Sequence, residues 1–572
     1  MREHLGRILE SELFRRSDRL SRFLEFSVQA ALNGDSARVK EYVIGVEVFD
    51  RGQHFDPRID PVVRVEARRL RTRLKQWHDT VGQGSALTIE LPSGSYAAEI
   101  RHRAYSPPPL PVPCAAKKIA VLPFANLNGD PELDYFSDGL TEELIHGLTR
   151  VKALHVVAWS SASRLKGQED LATIRDRLQV ENILRGTVRR SGDRLRMTAQ
   201  LIDAADGHYL WSEAWDRAAS DLMKIEQEIA QAIVDKLRVD FEHVEGGAFL
   251  PRAREPESHT FYLKGRFQMH KRSEEGLRLA VSYFSQAAER EPDWALAWAG
   301  LADAYALMAT YGVAQPAVMM RAARETAKKA LHLDPTLAEA LTCLAFVRSC
   351  YDWEWREAEE LYRRAIALSP GYAVAHHWYA TDYLVMLGRF DEAAFEIETA
   401  ISLDPLSSII LDGRALILMV AGRYEEARQA YLDLLQHDPL FYIGWSSLGR
   451  VYTQMGRYAE AIEMYQKARA LVGDFPKILG ALGQTLGLAG QVKEARELLD
   501  TLEIRSRAEH VGCITFSLIH LGLGERDAAL MRLETAVAQR EISVGWLKVH
   551  PAWNDLRSEP RFHALLKQLH FA

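Results

Sequence analysis

Cysteine is scarce: Cys114, Cys343, Cys350 and Cys513 are the whole complement of a 572-residue chain. Four scattered thiols build neither a disulfide framework nor a cysteine-based zinc site, and they point to a reducing compartment. Cys343 and Cys350, seven apart on one helix face, read as buried structural residues rather than a redox pair. Long apolar runs are also missing. The best stretch, around Leu416 to Ala421, is cut by Asp412, Arg414 and Arg423, and falls short of the ~20 residues of a membrane span. Charge interrupts the start, Met1-Arg2-Glu3-His4-Leu5, so it does not read as a signal peptide. No Gly-x-x-x-x-Gly-Lys-Ser/Thr loop, His-Glu-x-x-His helix or Gly-x-Ser-x-Gly elbow occurs, which removes the commonest phosphate, zinc-protease and serine-hydrolase motifs. His376-His377 diverge by 100° on a helix, so packing outweighs metal binding. The expectation is a cytoplasmic protein with no enzymatic activity, cofactor, resident metal or membrane contact.

What the chain does have is a ladder. Gly388, Gly422, Gly456, Gly490 and Gly524 recur every 34 residues, and Pro292, Pro335, Pro370, Pro405 and Pro439 keep a similar register. That is the period of a stacked helix-turn-helix unit. One unit carries Trp445, Leu448, Gly449, Tyr452, Gly456, Tyr458, Ala461, Tyr465 and Ala468, and resembles the tetratricopeptide consensus at each packing position. About eight units are read, starting near 261, 295, 339, 374, 408, 442, 476 and 510. The second carries roughly nine extra residues around Thr310 to Val318, expected in its turn. The array is expected over 255–545, with a cap helix over 546–572.

A second boundary is the proline run Pro107, Pro108, Pro109, Pro111 and Pro113, which favours an extended spacer over 104–116. Before it, residues 1–103 hold 18 Lys and Arg against 15 Asp and Glu, whereas the remainder holds 53 against 63. A mildly basic head precedes an acidic body. Within that head, Asp60-Pro61 reads as an N-cap and first-turn proline opening a helix to Trp77. At 100° per residue, Val63, Ala67, Leu70, Leu74 and Trp77 form its buried stripe. Arg64, Arg71 and Lys75 flank one side, Arg73 the other, and Val65, Arg68, Arg69 and Thr72 lie opposite. Flanking cations suit the phosphates of a duplex while the outermost side chains reach base edges. Two amphipathic helices, about 19–32 and 38–49, precede this helix, and two alternating strands around Pro92-Ser93-Gly94 follow it. Three helices and a hairpin make a winged helix-turn-helix.

From Arg19 to Ile100 the head resembles the winged-helix output domain of bacterial response regulators and related one-component activators, through Arg64–Trp77 and the wing Leu91-Pro-Ser-Gly-Ser-Tyr96. It departs from them at Ser95, where that family has a second glycine, and no four-stranded sheet is read before the helices. The resemblance implies that Arg64, Arg68, Arg69, Arg71 and Arg73 contact DNA; a protein-binding module of the same shape is the alternative.

Between 117 and 240 strands and helices alternate. Ile119–Phe124 and Leu154–Ala158 read as strands, Asp138–Ile145 and Leu171–Leu178 as helices, Asn182–Arg190 and Arg194–Asp203 as a hairpin, and Leu222–Leu237 as an exit helix. The stretches Asp134–Leu144, Gly186–Ile202 and Leu210–Glu213 resemble the TolB-type amino-terminal domain. In bacterial proteins of this build that domain sits between an effector module, DNA-binding or adenylate cyclase, and a tetratricopeptide array. Asp134, Asp138, Glu142 and Glu143 form an acidic cluster that suits the positive end of its helix better than a metal.

The fold expected is therefore multidomain and mainly α: an N-terminal winged helix, a small central α/β domain and a C-terminal tetratricopeptide α-solenoid. By family register, the concave groove is lined by Cys343, Val347 and Tyr351, then Trp378, Asp382 and Met386, then Asp412, Leu416 and Met419, then Arg450 and Gln454. That largely apolar lining suits an apolar peptide, a small effector or a contact within the chain, with packing between units as the alternative. The function expected is a transcriptional regulator with DNA and a protein or peptide as partners; the alternative is a signalling scaffold whose winged helix binds protein.

Overall fold

The structure is a computed structural model that describes residues 2–9, 11–15, 17–32, 39–52, 55–79, 87–92, 95–102, 117–128, 131–149, 151, 154–218, 222–237 and 255–571. The proline-rich spacer, Cys114 and the Ser93-Gly94 tip of the hairpin lie outside the described residues. Two compact units divide the chain, Met1–Leu110 and Pro111–Ala572.

In the first unit, α1 (Arg2–Leu9) and α2 (Glu12–Arg15) precede α3 (Asp18–Leu32), α4 (Glu41–Glu47) and α5 (Val62–Asp79). Strands β1 (Leu87–Glu90) and β2 (Glu99–His102) then pair antiparallel, with Ile89 opposite Ile100. The Asp60 carboxylate accepts from the Val62 amide at 3.1 Å, satisfying one of the orphan donors that open α5. Val63, Ala67, Leu70, Leu74 and Trp77 are all buried. They meet Phe23, Leu24, Ile44 and Ile89, and Leu5, Ile8 and Phe14 from α1 and α2 complete the same core.

In the second unit, β3 (Lys117–Val121), β4 (Ala125–Asn126), β5 (Leu154–Val156), β6 (Asn182–Ser191), β7 (Arg194–Asp203) and β8 (Tyr209–Ala218) form one mixed sheet. Its order is β5-β3-β6-β7-β8, with β4 pairing β6. The β3 contacts are parallel, and β6–β7–β8 is an antiparallel meander. On one face, Leu140, Leu144 and Leu148 of α6 (Pro131–Thr149) and Ile225, Ile229 and Ile233 of α9 (Leu222–Leu237) meet Val121, Leu184 and Met197. The other face packs Ala120, Leu122 and Ile183 under Ile174 and Leu178 of α8 (Leu171–Leu178). The short helix α7 (Trp159–Ala162) follows β5.

Helix pairs then stack to the C-terminus: α10 (Pro256–His270) with α11 (Glu274–Arg290), α12 (Ala295–Thr310) with α13 (Pro316–Leu333), and α14 (Ala338–Val347) with α15 (Trp355–Leu368). Next, α16 (Ala373–Tyr379) and α17 (Val385–Leu387), joined by a π turn at Ala380–Leu384, pair with α18 (Phe390–Leu403). After these come α19 (Ser408–Val420) with α20 (Tyr424–His437), α21 (Tyr442–Gln454) with α22 (Tyr458–Val472), α23 (Pro476–Leu488) with α24 (Val492–Arg505), and α25 (Cys513–Gly522) with α26 (Arg526–Ala538). The extra residues of the second pair lengthen its helices to 16 and 18 residues instead of swelling the turn. A second π turn, Arg348–Asp352, ends the first helix of the third pair.

All five ladder glycines have positive φ, from 71° to 81°, where a Cβ would crowd the following carbonyl. Each ends the first helix of its pair. Gly449 has a different role: a Cβ there would lie 2.9 Å from the Tyr465 ring, so its absence sets how closely α21 and α22 approach. The two glycines predict different costs. Gly456→Ala meets no atom within 4 Å and should cost only backbone strain, about 1–2 kcal/mol. Gly449→Ala should cost about 1–3 kcal/mol through overpacking. Urea midpoints of the two variants test both figures, and a neutral Gly456→Ala would remove the left-handed cap from the account.

The last segment does more than shield the final pair. Trp553, Leu556, Phe562 and Leu565, from a 3₁₀ turn and α27 (Pro560–Gln568), pack on Leu530, Leu533 and Val537. The chain then returns to the third pair, where Phe571 stacks on Trp355 at 4.8 Å and Trp355 donates to the Leu569 carbonyl at 2.8 Å. Lys477 Nζ likewise reaches the Thr310 carbonyl at 2.7 Å, so the seventh pair touches the second. Among the described residues no helix is long and apolar enough to cross a membrane.

Candidate nucleic-acid interface and repeat groove

Burying one stripe of α5 exposes the opposite one. Val65, Arg68, Arg69, Thr72 and Lys75 are exposed, and Val65 is an apolar side chain 45% accessible among cations. Arg68 and Lys75 make no ion pair among the described residues. Arg69 donates to Glu66 at 2.9 Å while keeping two thirds of its side chain accessible. Arg64 is exposed but tethered, to Glu41 at 2.9 Å and to the Pro57 carbonyl.

Two of the cations read as flanking residues are turned onto the protein itself. Arg71 donates to the carbonyls of Leu91, Pro92 and Ser95 at 2.9, 3.0 and 2.8 Å, clamping the segment between β1 and β2. Arg73 donates to the Leu13 carbonyl at 2.5 Å, fixing α2 against α5. A guanidinium offers five donors in a planar fork, so it can gather carbonyls that a lysine would leave unsatisfied. Arg71 thus commits three hydrogen bonds to carbonyls and Arg73 one.

The groove residues divide in the same way. Val347, Tyr351, Met386 and Met419 are buried, and Cys343 and Asp412 with them. Met386 packs with Trp546 and Ile542 of the returning C-terminal segment, and Gly545 comes so close that a Cβ would stand 2.7 Å from its sulfur. The Tyr351 carbonyl accepts from Arg540 at 3.0 Å, and the Leu387 carbonyl from Lys548 at 3.1 Å. This stretch of the expected groove is therefore filled by the chain's own C-terminal segment. Trp378, Asp382, Leu416, Arg450 and Gln454 keep partial exposure. Trp378 packs on Phe346 at 4.7 Å, Arg450 donates to Ser447 at 2.6 Å, and burial pushes the Asp382 carboxyl up to about 7. The thiols of Cys343 and Cys350 are buried, free and driven up by desolvation, so they stay protonated and inert.

The largest feature that the sequence does not reveal is a polar seam where the α/β domain docks on the array. Glu142 accepts from Arg266 and, at 3.0 Å, from His270. Burial pushes its carboxyl up, yet Arg266 and His270 outweigh burial and draw it down to about 2. Glu143 pairs with His259 at 2.8 Å; burial opposes the imidazolium, but Glu143 overrides it and holds the imidazole above its ordinary range. His146 pairs with Glu339 at 3.0 Å. Further along, Asp404 accepts from the hydroxyls of Ser160 and Ser161, the Leu403 carbonyl accepts from the Ala158 amide at 2.9 Å, and Arg164 reaches Asp438 at 2.6 Å. The acidic cluster on α6 is thus divided: Glu142 and Glu143 dock on the array, whereas Asp134 accepts from Asn126 at 3.2 Å and Asp138 pairs with Lys166 at 2.8 Å within the α/β domain itself. Among the described residues no group of three His, Cys, Asp or Glu side chains could hold a metal. His376 is likewise occupied, by Glu396 at 2.6 Å and the Pro370 carbonyl at 3.0 Å. A signal for the seam does exist in the sequence: Glu142, Glu143 and His146 on α6, and His259, Arg266 and His270 on α10, recur at helical spacing.

Comparison with known proteins bears on both halves of the second unit. Residues 115–232 match the model of the HilA/YgeH-like transcriptional regulator second domain. Residues 381–440, 412–474 and 452–509 match tetratricopeptide repeat models. The Transcriptional regulator HilA of Salmonella typhimurium is 23% identical over 304 residues, 52% of each chain. A Putative adenylate cyclase 3 of Rhizobium meliloti is 39% identical over 164 residues, 28% of each. The chain thus spans about half or less of the curated relatives it matches. Among solved structures, Pseudomonas aeruginosa pilF aligns at 19% identity with a TM-score of 0.28, over 38% of this chain and 94% of that one. The chain carries a HilA-like transcriptional regulator domain joined to tetratricopeptide repeats.

Proposed function

We propose that the chain is a cytoplasmic, non-enzymatic transcriptional regulator that binds duplex DNA through a winged helix-turn-helix, while the α/β domain and array recruit or sense a partner. The observation that carries this reading is the outward stripe of α5: Arg68 and Arg69 beside Val65 and Thr72, opposite the buried stripe, with the exposed Lys75 on its flank. Long cations at the margins neutralise phosphates, and the central side chains address base edges, with Val65 suited to a thymine methyl. Arg71 supports the wing instead of reading bases. The HilA-like domain adds a regulatory context, and the repeats add a protein-binding one.

The test is fluorescence anisotropy of the full chain with labelled genomic fragments against random competitor DNA at moderate salt. Arg68→Ala with Arg69→Ala should weaken specific binding roughly 10- to 100-fold and flatten the salt dependence by about one to two counterions. Binding no tighter than to competitor, or unchanged in the double variant, would leave the scaffold reading in its place.

A further inference from the structure

The mixed sheet ends differently on its two sides. At the β5 end the array closes it: the Ala158 amide donates to the Leu403 carbonyl at 2.9 Å, and His155 Nε2 meets the Ser402 carbonyl at 2.8 Å. At the other end β8 pairs with β7 along one edge, and among the described residues no strand pairs with its outer edge. The outward amides and carbonyls of a long edge strand are a template for another strand, and edges are normally guarded by brevity, lysine, proline or a bulge. β8 runs for 10 residues, holds no lysine or proline, and shifts its register against β7 only at the Tyr209 end. Its side chains are largely exposed, Tyr209 and Leu210 by 53% and 39%, so the chain's own helices do not cover this edge.

Which strand fits there is written in β8 itself. In an antiparallel pair, directly opposed residues point to the same face of the sheet. Along β8, Trp211, Trp215 and Arg217 face α9, and Ser212, Ala214 and Asp216 alternate to the other face. Two copies paired about a two-fold axis at Ala214 place each Trp211 opposite the other copy's Arg217, and each Ser212 opposite the other copy's Asp216. A guanidinium on an indole and a hydroxyl on a carboxylate are both attractive, and symmetry makes each contact twice. Both charged groups are already oriented, Arg217 by Glu228 at 2.9 Å and Asp216 by Arg194 at 2.7 Å. Small Ala214 side chains meet at the axis, Glu213 lies opposite Trp215, and no like charges oppose each other. Moving the axis to Glu213 would set two carboxylates face to face, and moving it to Trp215 would leave Leu210 and Trp211 beyond the paired segment.

We propose that β8 is a self-association surface, through which two copies of the chain pair antiparallel about Ala214 and join their six-stranded sheets into one. Nothing in this assignment depends on DNA binding, and its test contains no DNA.

Sedimentation velocity of the full chain should show the 64.7 kDa species give way to one of twice that mass, with a dissociation constant below about 100 µM. Ala214→Glu and Ala214→Lys each set like charges about 5 Å apart at the axis and should weaken association about tenfold or more. An equimolar mixture of the two variants should restore it. Under mild oxidation Ala214→Cys should form a disulfide-linked dimer, because the two Cβ atoms face each other. Leu210→Cys, on the same sheet face, should not, since its two copies lie roughly 27 Å apart at 3.4 Å per residue; the wild type reports any linkage through the native cysteines. A wild type that stays monomeric to about 100 µM would leave the edge to a strand of some other protein and overturn the assignment. Association unchanged in both charged variants would overturn it as well, as would cross-linking of Ala214→Cys no faster than of Leu210→Cys. The cysteine pair introduces no charge, so misfolding of the charged variants does not decide the outcome.

Discussion

Glu142→Ala is expected to weaken the docking of the α/β domain on the array by about 3–5 kcal/mol, the range for removing one member of a buried ion pair. The size follows from what is left behind. Arg266 keeps less than a quarter of its side chain accessible, and its Nε already lacks a partner, so Glu142→Ala removes its ion-pair partner among the described residues. His270 loses its acceptor in the same step. In urea the wild-type second unit should unfold with the sheet and the first repeats together, whereas Glu142→Ala should release the α/β domain at lower denaturant as a separate transition. Glu142→Ala with Arg266→Ala should cost less than the sum of the single changes, because the double variant removes the stranded charge. A single change costing under about 1 kcal/mol would show that the seam is incidental to docking.

This seam also marks where sequence reading stops. Periodicity reports which face of one element is buried, and it reads α5 well: the stripe Val63, Ala67, Leu70, Leu74 and Trp77 is core, and Val65, Arg68, Arg69 and Thr72 face outward. The 34-residue glycine interval is equally legible, because a left-handed helix end imposes a residue type and not merely a polarity. Arg71 and Arg73 read as outward charges because nothing local announces that their donors turn to carbonyls 20 and 60 residues away. The acidic face of α6 and the basic face of α10 each look solvated when taken alone; only docking across more than a hundred residues makes them partners. The burial of Val347 and Met386 is hidden for the same reason, since the segment that covers them follows some 150 to 200 residues later. In the groove, then, the first occupant is the chain itself, and an outside partner is left the partly exposed surface around Trp378, Leu416, Arg450 and Gln454.

Acid should cost the array stability through His377. Its imidazole is buried, and desolvation, reinforced by the charge of Arg272, pushes it down to about 3 from an ordinary value of 6.5. Between those two values the unfolded chain binds a proton that the folded chain refuses, so stability falls as pH falls. The slope approaches about 1.4 kcal/mol per pH unit once the unfolded imidazole is protonated, so roughly 2.3 kcal/mol is lost between pH 6.5 and 4.5. His550, also driven down to about 3 by burial with Arg450 and Arg557 nearby, adds to the loss with the same sign. His259 acts oppositely: its raised value gives stability that is fully present below the unfolded pKa and is lost as pH rises through the folded one. The two signs separate by site. Asp303 and Asp382, raised by burial to about 7, take up protons over the same range with the opposite sign to His377, so the test is differential: between pH 7 and pH 5 the urea midpoint of His377→Gln should show about one proton less acid sensitivity than that of the wild type. An unchanged slope in His377→Gln would mean that water reaches the ring between α16 and α19, where the Gly413 backbone now lies close beside its Cδ2 edge.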